Sequence, residues 1–150
     1  MNNQDEQEDA KALELLEKAV YKAQNALEKT THFQPFLMLL TESHEVEVYE
    51  NEVEDSIESY ALLENLLTKR VKKGDIDIMI LAVDTMIPEK FVDNISIGIR
   101  LHLEEKSQRD KKIGARYLYV PYELCQIKGE DMYVRLHHPI PIGFPAEYIL

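Results

Sequence analysis

Eight consecutive residues, Ile76-Asp-Ile-Met-Ile-Leu-Ala-Val83, are apolar at every position except Asp77. Successive side chains on a strand point to opposite faces, so a run of this kind has to be covered on both sides. The following segment behaves differently. From Ile95 to Leu103 the pattern alternates, with Ile95, Ile97, Ile99, Leu101 and Leu103 on one face and Ser96, Gly98, Arg100 and His102 on the other. This is a strand with one apolar and one polar face.

More strands follow. Ala115 to Tyr122 sets Leu118 and Val120 against Tyr117 and Tyr119, and Pro121, which has no N–H to donate, marks a strand end or a free edge. Lys106 to Lys112 is polar throughout and reads as an exposed hairpin loop. Lys128-Gly-Glu-Asp131 turns into Met132, Val134 and Leu136 against Tyr133 and Arg135. His137 to Pro145 holds three prolines, so it must be extended without forming a regular central strand.

Two helices and a hairpin precede these strands. Leu13, Leu16, Val20, Ala23 and Leu27 recur at spacings of 3 and 4, which predicts a helix from an Asp9 cap to about Lys29. Leu37 to Leu40 reads as a buried strand after Pro35, paired with a half-exposed strand at Val46 and Val48. A second helix starts at Asp55 or Ser56 and ends at Gly74, with acids at its start and Lys69, Arg70, Lys72 and Lys73 at its end. That polarity complements the helix dipole. Its predicted buried stripe is Ile57, Tyr60, Ala61, Leu63, Leu67 and Val71, widened by Leu62 and Leu66. Residues 1–9 are polar and acidic and read as a disordered tail, leaving 10–150 as one domain. The expected fold is α+β, in the order α-β-β-α-β-β-β with or without one more strand. It has a single antiparallel sheet of about five to six strands with both helices packed on one face.

Charge narrows the function classes. Lys and Arg number 17 against 28 Asp and Glu, a net charge of −11. Nucleic acid and anionic membranes call for clustered basic residues, so neither is an expected partner. The lone Cys125 excludes an intramolecular disulfide. No apolar run approaches the ~20 residues needed to cross a bilayer. A soluble, cytoplasmic domain of bacterial type is the expectation.

Catalytic patterns are absent from the sequence. His32, His44, His102, His137 and His138 lack metal-ligand spacing, although His137 or His138 could meet His102 across strands. Cys125 has no cluster of bases near it in sequence, and no G-x-S-x-G elbow occurs. Glu42 to Glu64 holds nine carboxylates and no Lys or Arg, which reads as a solvated strand edge and helix start or as a surface for a basic partner. Asp84, at the end of the doubly apolar strand, is the one carboxylate placed as a pocket candidate.

The polar strand faces are more informative. Arg100, His102, Tyr117, Tyr119, Tyr133 and Arg135 can share the face opposite Ile95 to Leu103, to which the central strand adds Met79, Leu81 and Val83, or else Ile78 and Ile80. Tyrosine, methionine and arginine over an apolar centre is the composition of an interface core. Solvent or the carboxy-terminal tail is the plainer cover for the same face.

Phe33-Gln-Pro-Phe36, the strand ending in Asp84, the Ile95 to Leu103 strand and Tyr119-Val-Pro-Tyr122 resemble a loose group of small uncharacterised bacterial proteins. Over about residues 32 to 124 these share an F-x-P-F strand start, an acidic helix and a terminal P-Y strand. The resemblance implies a stand-alone α+β domain and brings no activity, cofactor or catalytic residue. The expected function is therefore a non-catalytic interaction module or homodimer using the outer sheet face, with no cofactor or metal. The alternatives are an acidic inhibitor or immunity-type protein, and a small-ligand or enzyme pocket around Asp84, Arg100 and His102.

Overall fold

The computed structural model describes residues 3–92 and 94–150, with side chains from Glu6 onward. Its elements are α1 (Asn3–Thr30), β1 (Phe36–Thr41), β2 (Val46–Tyr49), α2 (Ser56–Val71), β3 (Ile76–Met86), β4 (Ile97–Glu105), β5 (Ala115–Cys125), β6 (Tyr133–Leu136) and β7 (Ile140–Phe144). All seven strands join one antiparallel sheet in the order β2-β1-β3-β4-β5-β6, and β7 also pairs with β5. This is the α+β single-sheet architecture expected from the alternation of the strands.

The helices do not share a face. α1 packs Leu15, Ala19, Ala23 and Leu27 onto Met38, Ile78, Ile80, Ile99, Leu101 and Val120. α2 packs Leu63 and Leu67 onto Leu37, Leu39, Met79 and Leu81, the alternate residues of the same strands. The apolar run of β3 required two-sided cover, and the two helices supply it by dividing between the faces. Each fully buried aliphatic side chain in these layers contributes about 1.5–3 kcal/mol.

α1 begins at Asn3, so the disordered tail expected over residues 1–9 is corrected for all but Met1 and Asn2, which lie outside the described residues. Acidic residues suit a helix start through the dipole, and Lys11 ties this turn down by pairing with Glu8 at 3.1 Å and Asp77 at 3.7 Å. Ala23 and Leu27 are buried as predicted, but the first half of the stripe is rotated by one position. Ala12, Leu15 and Ala19 are buried, while Leu13 is 57% exposed. Alanine carries little side chain, so a face built on alanines brings the helix axis close to the sheet and leaves the bulkier Leu16 and Val20 at its margins.

Asp55 caps α2 as predicted, its carboxylate accepting from the Ile57 and Glu58 N–H groups at 2.9 and 3.1 Å. Pro121 lies inside β5 rather than at its end. β7 pairs with Ala115–Tyr119 and β6 with Tyr122–Cys125 along one edge of β5, so Pro121 sits where the two partners part. Its carbonyl accepts from His137 on that edge, and the donor it lacks belongs to the same edge. The break between β6 and β7 removes the need for it.

Candidate functional site

The β2–α2 connection sets how α2 meets the sheet. Asn51 Oδ1 accepts from the Ser59 hydroxyl at 2.7 Å and from Val53 N–H at 3.2 Å, and Asn51 Nδ2 donates to the Ser59 carbonyl. The first turn of α2 is thereby held beside the end of β3 with its apolar side chains off the core. Ile57, predicted to be buried, is 82% exposed. Opposite it stand Met86 at 65% and Ile97 at 37% exposure. These three residues, with Tyr60, Val83 and Arg100, line a groove of about 680 Å³ between α2 and the β3–β4 end.

Arg100 is the cation of this groove. The register pairs it with Val83 and Tyr119, which puts it on the α2 face. Its Nη2 donates to the Tyr60 hydroxyl at 2.7 Å, and its guanidinium lies 4.4 Å from the Tyr117 ring centroid and 5.3 Å from that of Tyr60. Such stacking orients a guanidinium without neutralising it. Among the described residues no carboxylate lies within ion-pair distance of Arg100, and its Nε is buried without a hydrogen-bond partner. Burial pushes the Tyr60 hydroxyl up to about 12, against the opposing pull of Arg100.

His102 and Glu104 follow Arg100 on the same face but serve a different purpose. His102 Nε2 is 2.7 Å from Glu104 Oε2, both side chains being fully buried. Burial alone would raise the Glu104 carboxyl. The bonds from His102 and from the Ile149 and Tyr148 N–H groups outweigh burial and hold it below its ordinary value. An ionised carboxylate only accepts, so Nε2 carries the proton between them. Glu104 also accepts from Glu147 N–H, and Tyr148 N–H and Ile149 N–H each reach it at 3.0 Å. Tyr148 extends the tether by donating its hydroxyl to Glu64 on α2. The rings of Tyr117, Phe144 and Tyr148 surround His102 at centroid distances of 5.2–5.3 Å.

The predicted interface residues therefore separate. Met79, Leu81, Arg100, His102, Tyr117 and Tyr119 do share one face. However, Met79, Leu81, His102 and Tyr119 are buried, so they cannot form an open surface. α2 covers the first two, and the rings of Phe144 and Tyr148 stand against His102. Tyr133 and Arg135 lie at the far edge in β6, where Arg135 approaches Glu123 at 3.8 Å beside a separate cavity of about 460 Å³.

Of the predicted pocket of Asp84, Arg100 and His102, the first two line the groove and His102 does not, and their polar groups do not converge. Asp84 is registered with Ile99 and takes the Tyr122 hydroxyl at 2.7 Å on the α1 face. Burial raises its carboxyl despite that bond. Arg100 and His102 point to the other face, and His102 is consumed by Glu104. His137 contacts Glu123 instead of His102. Among the described residues no cluster of three His, Cys, Asp or Glu side chains is placed to hold a metal ion. In the acidic stretch, Glu42, Glu47 and Glu50 pair with Lys106, Arg70 and Lys22.

Sequence reasoning missed Glu104 and the groove for different reasons. Glu104 continues the series Gly98, Arg100, His102, so its face was legible, but its backbone partners lie more than 40 positions away. Ile57, Met86 and Ile97 are ordinary apolar residues, and only their convergence around Arg100 marks them. Among the described residues no helix is long and apolar enough to cross a membrane. No protein-family model matches the chain, and neither a curated protein nor a solved structure is detectably similar to it.

Proposed function

We propose that this protein is a non-catalytic binding module that takes its partner in the groove between α2 and the β3–β4 end. The observation carrying this reading is that Ile57, Met86 and Ile97, all exposed, converge on one groove that Arg100 also lines. A largely apolar concavity with one or two oriented polar groups is the usual form of a small-ligand site, and its volume lies within the range of about 300–1,000 Å³ seen for such sites. The polar groups at hand favour holding over chemistry. The Tyr60 hydroxyl is engaged by Arg100 and Glu64 by Tyr148, and neither makes a nucleophile–base pair.

The test uses a neutral apolar fluorophore, N-phenyl-1-naphthylamine, titrated into the protein. One probe per chain is expected, with affinity falling by about tenfold or more in Ile57→Asp and Met86→Asp. Both positions are solvent-exposed, so the variants keep the core intact, which circular dichroism would verify. Absence of probe binding, or binding that survives both substitutions, would overturn the reading.

A further inference from the structure

Among the described residues, the Arg100 guanidinium carries a charge for which no counter-ion is provided. The protein has 11 more acidic than basic side chains, so carboxylates are abundant. Two other partly buried cations use them: Arg70 bridges Glu47 and Asp75, and Lys11 bridges Glu8 and Asp77, whereas Arg109 bonds the Lys106 carbonyl. Arg100 alone is held by two tyrosine rings and one tyrosine hydroxyl, with Nε buried and unbonded in the wall of an apolar groove. A guanidinium removed from bulk water gains most from a carboxylate, which accepts two parallel N–H bonds in its plane.

Resting on the binding-module reading, we propose that the groove's ligand is a small amphipathic carboxylate, an aliphatic or aromatic acid whose anionic head meets Arg100 while its apolar body lies against Ile57, Val83, Met86 and Ile97. Two observations favour a small monoanion over an acidic polypeptide. The groove is flanked at the start of α2 by the exposed Asp55 and Glu58, which repel an extended anionic surface and oppose a single carboxylate far less. Arg100 is also half-buried while Ile57 and Met86 stand exposed, so a slender head group reaches it more readily than a broad surface does. Glu64, the carboxylate lining the same groove, is occupied by the Tyr148 hydroxyl, and Asp84 turns its carboxyl to the opposite face.

The experiment displaces N-phenyl-1-naphthylamine from the full chain with decanoate, decanol and decylamine, each below its aggregation concentration. Decanoate is expected to displace the probe at about tenfold lower concentration than decanol, the scale of one charge-assisted bidentate contact, with decylamine weakest. In Arg100→Gln decanoate and decanol should displace the probe at equal concentrations, each referred to the probe's own affinity for that variant. Equal displacement by decanoate and decanol, or a preference that survives Arg100→Gln, would overturn the carboxylate assignment and leave the groove itself standing. Failure of the probe to bind would instead remove the binding-module reading. Should Arg100→Gln not fold, the Arg100 Nε–H resonance of the unaltered protein decides: it must shift on adding decanoate and stay still with decanol, and any other result overturns the assignment.

Discussion

The two faces of the sheet are covered by different means, and the difference explains where polar groups are buried. α1, 28 residues long, runs across one face and seals it with aliphatic contacts. On the other, α2 is 16 residues long and packs its buried leucines on β1 and β3, touching β4 through the Tyr60–Arg100 bond. Phe144, Tyr148 and Ile149 close in on His102 and Glu104. A helix arrives with its backbone already hydrogen-bonded. An irregular segment does not, and every N–H it buries needs an acceptor from elsewhere. Glu104 is that acceptor, which is why a carboxylate sits fully buried on the α2 face. The groove marks where neither α2 nor the tail extends over the sheet.

The sharpest way to break the comparison is to remove the acceptor. Glu104→Ala leaves three tail N–H groups and His102 without their partner. It should cost about 3–5 kcal/mol in urea unfolding and speed amide exchange at Tyr148 and Ile149 ahead of residues under α1. Uniform loss of protection across both faces would show that the tail is not held separately.

A smaller effect is expected from Ala23→Leu on the α1 face. Ala23 is completely buried, so a larger side chain must push the helix from the sheet, at about 1–3 kcal/mol. Exchange at Tyr148 and Ile149 should remain as in the unaltered protein. If the tail loosens too, the two layers are mechanically coupled through β3.

The gentlest probe is pH. Glu104 is held below its ordinary value by His102 and backbone N–H bonds that outweigh burial, so the stability it brings is complete above the ordinary carboxylate range. It is lost as pH falls through the lowered value, when the unfolded chain has already taken its proton. Asp84 on the α1 face has the opposite sign. Burial raises its carboxyl, so the native state takes up a proton first and stability rises as pH falls through that window. Carboxyl carbon shifts in an NMR titration should show Asp84 protonating well before Glu104, with the tail released only at the second step. Titration of both together would end the distinction.

Much of this architecture was readable along the chain. The Ile76–Val83 run demanded two covering layers, and Ile95 to Leu103 assigned Arg100 and His102 to one face by alternation. The Asp55 cap and the strands of residues 36–49 were equally local. What misled were the first turns of each helix, since Leu63 and Leu67 of α2 and Ala23 and Leu27 of α1 do face the sheet. Leu13 and Ile57 satisfy a helical period yet stand in solvent, because period alone leaves a choice between adjacent stripes and the alanine-lined stripe of α1 fits closest. Asp84, Arg100 and His102 could not be sorted into compartments either, since that depends on the pairing of Asp84 with Ile99 and of Arg100 with Val83.

By itself the sequence determined the class of fold, the polarity of α2, the two-sided burial of β3 and the set of side chains on each strand face. These follow from periodicity, capping and charge, which act over a few residues. Only the tertiary structure decided that the helices take opposite faces, that Glu104 receives the N–H groups of residues 147–149, and that Arg100 is left with tyrosines and an apolar groove. The Glu104 and Arg100 outcomes draw on contacts between segments 40 or more positions apart. Loop closure there is set by how the layers fit, and no local pattern encodes it.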